Sequence, residues 1–288
     1  MCNRKRMKSL TIKTKTCCII LLMLAGRGFA QPDSSKYKML PNPEIYKIHY
    51  RTEVPVTVVA AGITLINFAG ISKKDNSTEA QIESLDRNNI PFFDRWTVHV
   101  YSKSIDQASY IPFYVAIPLP LLCLADKKMR KDFWKIGYLY LEALAATGVV
   151  YSTAVNLTNR YRPFTYNLES PMDLAVQSNS KKSFFAGHVA LVATSGFFMA
   201  KVYADYHPDS KLKWVFYTGA GALTAATGIM RNLAGMHFLS DVLLGAAVGT
   251  CSGLLVPSLH KIKPGKTPHL TILPFGGTGA GFTAIYRI

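Results

Sequence analysis

The chain has 288 residues, 49% of them hydrophobic and 17% charged, with a formal net charge of +16. Its apolar residues gather into long runs divided by short charged loops, a composition that excludes an ordinary soluble globule and reads as a membrane protein. The basic residues fall at the ends of those runs rather than along one stripe with interleaved aromatics, which argues against nucleic acid as a partner.

Arg4, Lys5, Arg6, Lys8, Lys13 and Lys15 precede the apolar stretch from Cys17 to Ala25 and the small-residue ending Gly28-Phe29-Ala30. This order predicts a signal peptide over 1–30 cut after Ala30, with an uncleaved anchor as the alternative. The segment 31–106 follows as a polar N-terminal part holding one apolar run at 54–72 and the stretch Pro91-Phe92-Phe93-Asp94-Arg95-Trp96, whose mixture of aromatics and charge suits a membrane interface. Further runs lie at 107–125, 136–159, 187–200, 214–230 and 242–259. A span needs about 20 apolar residues, so the 187–200 run is expected to continue toward Ala204 with Lys201 snorkelling. Glu142 is the one charge within 136–159, and a buried membrane acid implies a polar partner or a proton path.

Lys127, Lys128, Arg130, Lys131 and Lys135 make the densest basic loop and mark a cytoplasmic end. If the signal exports the chain and both early runs cross, that loop falls on the wrong side, so the two readings conflict. The remaining cysteines, Cys123 and Cys251, sit inside apolar runs, which leaves no pattern for a disulfide scaffold or a Cys metal site. His49, His99 and His207 likewise lack metal-ligand spacing. In the tail over 261–288, glycines at 276, 277, 279 and 281 between His269–Leu273 and Phe282–Tyr286 predict a small hairpin.

Three clusters stand at the ends of apolar runs. Arg160-Tyr161-Arg162-Pro163 closes the 136–159 run, with Pro163 as a stop. Ser183-Phe184-Phe185-Ala186-Gly187-His188 opens the next, where a helix N-terminus attracts an anion and Gly187 admits close backbone approach. Arg231, His237 and Asp241 form R-x5-H-x3-D. On one helix, His237 and Asp241 would share a face, so the carboxylate could accept one ring N–H and leave the other nitrogen free to attack. The same spacing also suits a His and an Asp that merely satisfy each other. Two arginines, two histidines and a helix N-terminus meeting at one membrane face suit phosphate, with one His attacking phosphorus and the other protonating the departing oxygen.

In this order the clusters resemble the signature of the type 2 phosphatidic acid phosphatase family, K-x6-R-P, P-S-G-H and S-R-x5-H-x3-D, over roughly residues 107–259. The resemblance implies an all-α, polytopic transmembrane bundle of about six helices with a core over 107–260. It also implies that His237 forms a phosphohistidine, Asp241 orients it and His188 is the general acid. Arg162, Arg231 and the Gly187 amide would hold the phosphate, and neither metal nor cofactor takes part. The substrate would be a phosphorylated lipid, handled at the cell membrane on the periplasmic or exterior face. This sequence departs from the signature at Val155 for Lys, Ala186 for Ser and Met230 for Ser. Two phosphate donors are thereby lost, each worth about 1.5–3 kcal/mol, for which Arg160, Lys181 or Lys182 could substitute. The alternative is a catalytically weakened member that binds lipid or serves a structural role, with a vanadium haloperoxidase as a more distant one.

Overall fold

The computed structural model describes residues 44–262, 270–275 and 281–286; the signal segment and the glycines between the two tail strands lie outside them. The described helices are α1 (Tyr50–Ser72), α2 (Glu79–Glu83), α3 (Lys103–Ala108), α4 (Tyr110–Ala116), α5 (Phe133–Leu157), α6 (Met172–Ala175), α7 (Gly187–Tyr206), α8 (Leu212–Leu233) and α9 (Leu239–His260). Each apolar run read from the sequence after residue 50 falls on helix. Residues 50–72, 103–124 and 239–260 are each long and apolar enough to cross a membrane. The second of these is broken: α4 ends at Ala116, and Pro118 and Pro120 turn the chain into a 3-10 segment, Leu119–Leu124. Each proline lacks the backbone donor of a helical hydrogen bond, and two of them two residues apart interrupt the α-helical ladder here. On α1, Val56, Val58, Leu65 and Ile66 are all at least 60% exposed. An apolar helix of that kind belongs in lipid, where close packing and polar contacts rather than water exclusion hold neighbours together.

Contacts at the helix ends fix the directions. Lys135 near the start of α5 pairs with Glu44 just before α1. At the other end the Lys74 amine reaches the carbonyls of Val155 (2.6 Å) and Thr158 and the side chain of Asn159 (3.0 Å), a cation placed where α5 leaves its last carbonyls open. So α1 and α5 run parallel, and α3–α4, between them in the chain, runs the opposite way against α7 and α8. Residues 44–50, the basic loop 127–135 and Lys261 lie at one end. Residues 158–186 and 234–238 lie at the other.

The seam between α7 and α9 is set by small residues. A Cβ at Gly245, Gly249 or Gly253 would come within 2.6, 2.1 or 2.6 Å of the carbonyl oxygens of Ala186, Ala190 and Thr194, so only glycine at a four-residue repeat allows the two backbones to touch. The basic end holds the largest apolar cluster, built around Tyr46, Met129, Leu139, Phe198 and Tyr206. There Lys201 does not snorkel. It pairs with Asp205 at 2.5 Å, and that carboxylate also takes Lys261 (2.6 Å) and the Tyr46 hydroxyl (2.8 Å), which removes any need to reach water. The tail strands β1 (Leu270–Phe275) and β2 (Gly281–Tyr286) pair antiparallel, from Leu270 with Tyr286 to Phe275 with Gly281.

Candidate active site

Arg162 follows the end of α5, held by its own N–H on the Ser180 carbonyl at 2.8 Å. Its guanidinium is 8% exposed: Nε donates to the Asn179 carbonyl (3.0 Å), while one terminal nitrogen has only the Met236 sulfur, at 3.1 Å. A thioether is a weak acceptor, so that donor is poorly satisfied. Burial, and then the neighbouring Arg231, draw the Arg162 guanidinium down to about 10, still cationic at neutral pH. Arg231, in the last turn of α8, is 2% exposed, and among the described residues its Nε has no partner. One of its terminal nitrogens donates to Asp106 (2.5 Å) and Ser109 (3.1 Å) of the α3–α4 segment.

His188 is the second residue of α7, its ring wedged between Tyr110 (4.8 Å between centroids) and Phe113 (5.1 Å). Arg162, His188 and Arg231 thus share the wall of a cavity of about 470 Å³ with Tyr151, Asn179 and Lys103. Poorly satisfied, buried guanidinium donors on one wall make an anion the natural occupant. Gly187 is buried beneath Tyr151, where a Cβ would meet ring atoms at 2.5 and 2.6 Å. Its lack of a side chain is required by that ring.

His237 is not on a helix. α8 closes in a paired C-terminal turn, with the Gly235 N–H on the Asn232 carbonyl (2.9 Å) and the Met236 N–H on the Arg231 carbonyl (3.0 Å). Gly235 has φ +71°, and a Cβ there would lie 2.2 Å from the Val100 carbonyl oxygen. Gly235→Ala should therefore destabilise the protein by at least about 1–3 kcal/mol from the backbone conformation alone. Thermal unfolding in detergent measures it, and an unchanged midpoint would remove the turn from the account. The loop carries His237 to a site 2% exposed, behind the cavity wall. Its Nδ1 meets the Ser183 carbonyl at 2.7 Å, and its own carbonyl accepts from Asn232 at 3.0 Å. A carbonyl only accepts, so Nδ1 carries the proton in the neutral ring and Nε2 is the free nucleophilic nitrogen. Burial, then Arg162 and Arg231, hold the His237 ring well below the usual imidazole range, so it stays unprotonated at neutral pH.

Asp241 does not accept from His237, because the shared helical face expected from their spacing does not exist. α9 starts only at Leu239, and Asp241, fully buried in its first turn, turns back to accept the Phe238 N–H (3.0 Å). It also accepts the Ser183 hydroxyl (2.6 Å). Asp241 therefore reaches His237 through Ser183, whose hydroxyl it holds and whose carbonyl holds the His237 ring. Nor is Arg160 a phosphate ligand here. Its guanidinium lies over the Phe238 ring and bridges Asp241 to Asp94 (2.8 Å), another fully buried carboxylate. Asp94 in turn accepts the Ser240 N–H (3.0 Å) and hydroxyl (2.6 Å) at the start of α9. The stretch read as interfacial thus has two faces: Phe92 and Trp96 are 81% and 50% exposed, while Asp94 is locked into the protein. Val155, at the position of the missing Lys, is buried in α5, and Lys181 and Lys182 stand off the cavity wall. The cation that does line the wall beside the two arginines is Lys103, which no motif signalled.

A family model for the PAP2 superfamily matches residues 137–263. The crystal structure of a transmembrane PAP2-type phosphatidylglycerolphosphate phosphatase from Bacillus subtilis aligns with 70% of this chain and 94% of that one, at 21% sequence identity and a TM-score of 0.42. No curated protein sequence matches the chain. The matched residues 137–263 carry every cluster of the signature, so it is this part of the chain that is similar to the PAP2 superfamily.

Proposed function

We propose that this membrane protein is a phosphatase that hydrolyses a lipid phosphate monoester or diphosphate through a phosphohistidine. The observation that carries the reading is the convergence of Arg162, Arg231 and His188 on one cavity wall, with His237 fixed behind it by Nδ1. The phosphate oxygens would take the guanidinium donors now facing sulfur or nothing. His237 Nε2 then forms a bond to phosphorus as the lipid oxygen–phosphorus bond breaks, and His188, protonated once the bound phosphate offsets the charge of Arg162 and Arg231, gives its proton to the departing lipid oxygen. In the second half, neutral His188 takes a proton from water, water oxygen bonds to phosphorus, and the His237–phosphorus bond breaks to release phosphate. Charge is supplied by side chains throughout, with no cofactor in the scheme. With the basic loop 127–135 in the cytoplasm, the cavity opens on the periplasmic or exterior side of the cell membrane. That orientation puts residues 44–50 in the cytoplasm too.

A second reading, a lipid-binding protein with little turnover, is favoured by Asp106, whose carboxylate already occupies Arg231 where phosphate would bind. Phosphate release from a panel of glycerolipid, polyprenyl and glycolipid phosphates in mixed micelles separates the two. Turnover on at least one class is expected, and Asp106→Asn should lower KM. Background rates across the whole panel, with lipid binding retained, would leave only the second reading.

A further inference from the structure

At the opposite end of the bundle, Glu53 from the first turn of α1, Glu142 from α5 and His260, the last residue of α9, point at a common centre. The His260 Nδ1 lies 2.8 Å from the Val256 carbonyl, so it holds the proton of the neutral ring and Nε2 presents a lone pair. That Nε2 is 3.1 Å from Glu53 Oε2 and 3.5 Å from Glu142 Oε2. Neither contact has hydrogen-bond geometry, and among the described residues both buried oxygens are without a partner. The three side chains are 9% (His260), 19% (Glu53) and 22% (Glu142) exposed, shielded but reachable from a cavity of about 460 Å³.

Groups that satisfied one another would line up donor to acceptor. These instead aim three electron pairs inward, with all three atoms within 4.8 Å of one another. Ligands bound to one cation at about 2.0–2.2 Å sit roughly 3–3.5 Å apart at octahedral or tetrahedral angles. The two measured nitrogen–oxygen separations fall in that range. A divalent ion would neutralise both carboxylates. Of the two lysines that also line the cavity, Lys261 is already paired with Asp205, and Lys47 makes no ion pair with either glutamate among the described residues.

We propose that Glu53, Glu142 and His260 form a divalent-cation site of two carboxylates and one imidazole, with its remaining coordination positions facing the cavity. Mixed oxygen and imidazole donors suit Zn²⁺ or Mn²⁺ better than Mg²⁺. The site would clasp α1, α5 and α9 together, one turn from the contact between the Thr57 and Tyr138 hydroxyls (3.1 Å) that joins α1 to α5.

The test uses the full chain in detergent, stripped with a chelator and titrated calorimetrically with ZnCl₂ and, separately, MnCl₂, with thermal unfolding followed in parallel. One saturable equivalent per chain is expected for at least one ion, with a rise in the unfolding midpoint that grows with ion concentration. Glu142→Gln, which keeps size and removes charge, should weaken binding at least tenfold, and His260→Gln should do the same. His188→Ala, at the far end, should bind as wild type does. Two results would overturn the site: equal binding by wild type and Glu142→Gln, or no stoichiometric binding of either ion. A midpoint that follows pH but neither ion would likewise show that the triad holds only a proton.

Discussion

Arg160→Met is expected to destabilise the protein by about 3–5 kcal/mol, the usual result of leaving buried charge without its partner. Asp94 and Asp241 are both fully buried, and Arg160 is the cation that joins them. Methionine keeps the apolar stem over Phe238, so the loss isolates charge from packing. Adding Asp94→Asn to Arg160→Met removes one stranded carboxylate and should restore part of the loss, a non-additivity that identifies the bridge. Chemical unfolding in detergent measures all three proteins. Were Arg160 a phosphate ligand after all, the single substitution would raise KM and leave stability within about 1 kcal/mol of wild type, because exposed ion pairs contribute no more than that.

The second large effect separates the two histidines. His237→Gln should remove turnover on every substrate, since no other nitrogen is held with Nδ1 on a carbonyl and Nε2 free beside both arginines. His188→Gln should slow a lipid phosphate by about 100- to 10,000-fold, the range for losing a general acid. It should spare the initial burst of p-nitrophenol from p-nitrophenyl phosphate, whose leaving group departs without a proton, while the water step shared by both substrates slows. A burst slowed as much as the first step on the lipid would deny His188 the role of acid. A His237→Gln protein that still turns over would end the phosphohistidine proposal.

How much of this could be read from the sequence follows from the range of the contacts involved. His188, Arg162 and Arg231 border helix ends, and helix ends are visible locally as Pro163, Gly187 and the close of an apolar run. Helix placement is legible for the same reason, and the 187–200 run, expected to continue toward Ala204, extends to Tyr206. The direct His237–Asp241 contact failed because it assumed one continuous helix, whereas Gly235 ends α8 and α9 begins two residues after His237. Asp94 and Asp106 were not legible at all. Their partners Ser240 and Arg231 lie 146 and 125 residues away, and no local pattern encodes a pairing across that distance. Arg160's motif position predicts proximity to phosphate, whereas its guanidinium is turned to two buried acids.

The parallel course of α1 and α5 has a consequence for the cell. With six passes of helix between residues 50 and 260, both ends of the described bundle emerge on one face and the anion cavity opens on the other. On the proposed function, phosphate would be set free at the cavity end, whereas a partner docked at the opposite end, beside residues 44–50 and Lys261, would respond to the site only through movement of the helices.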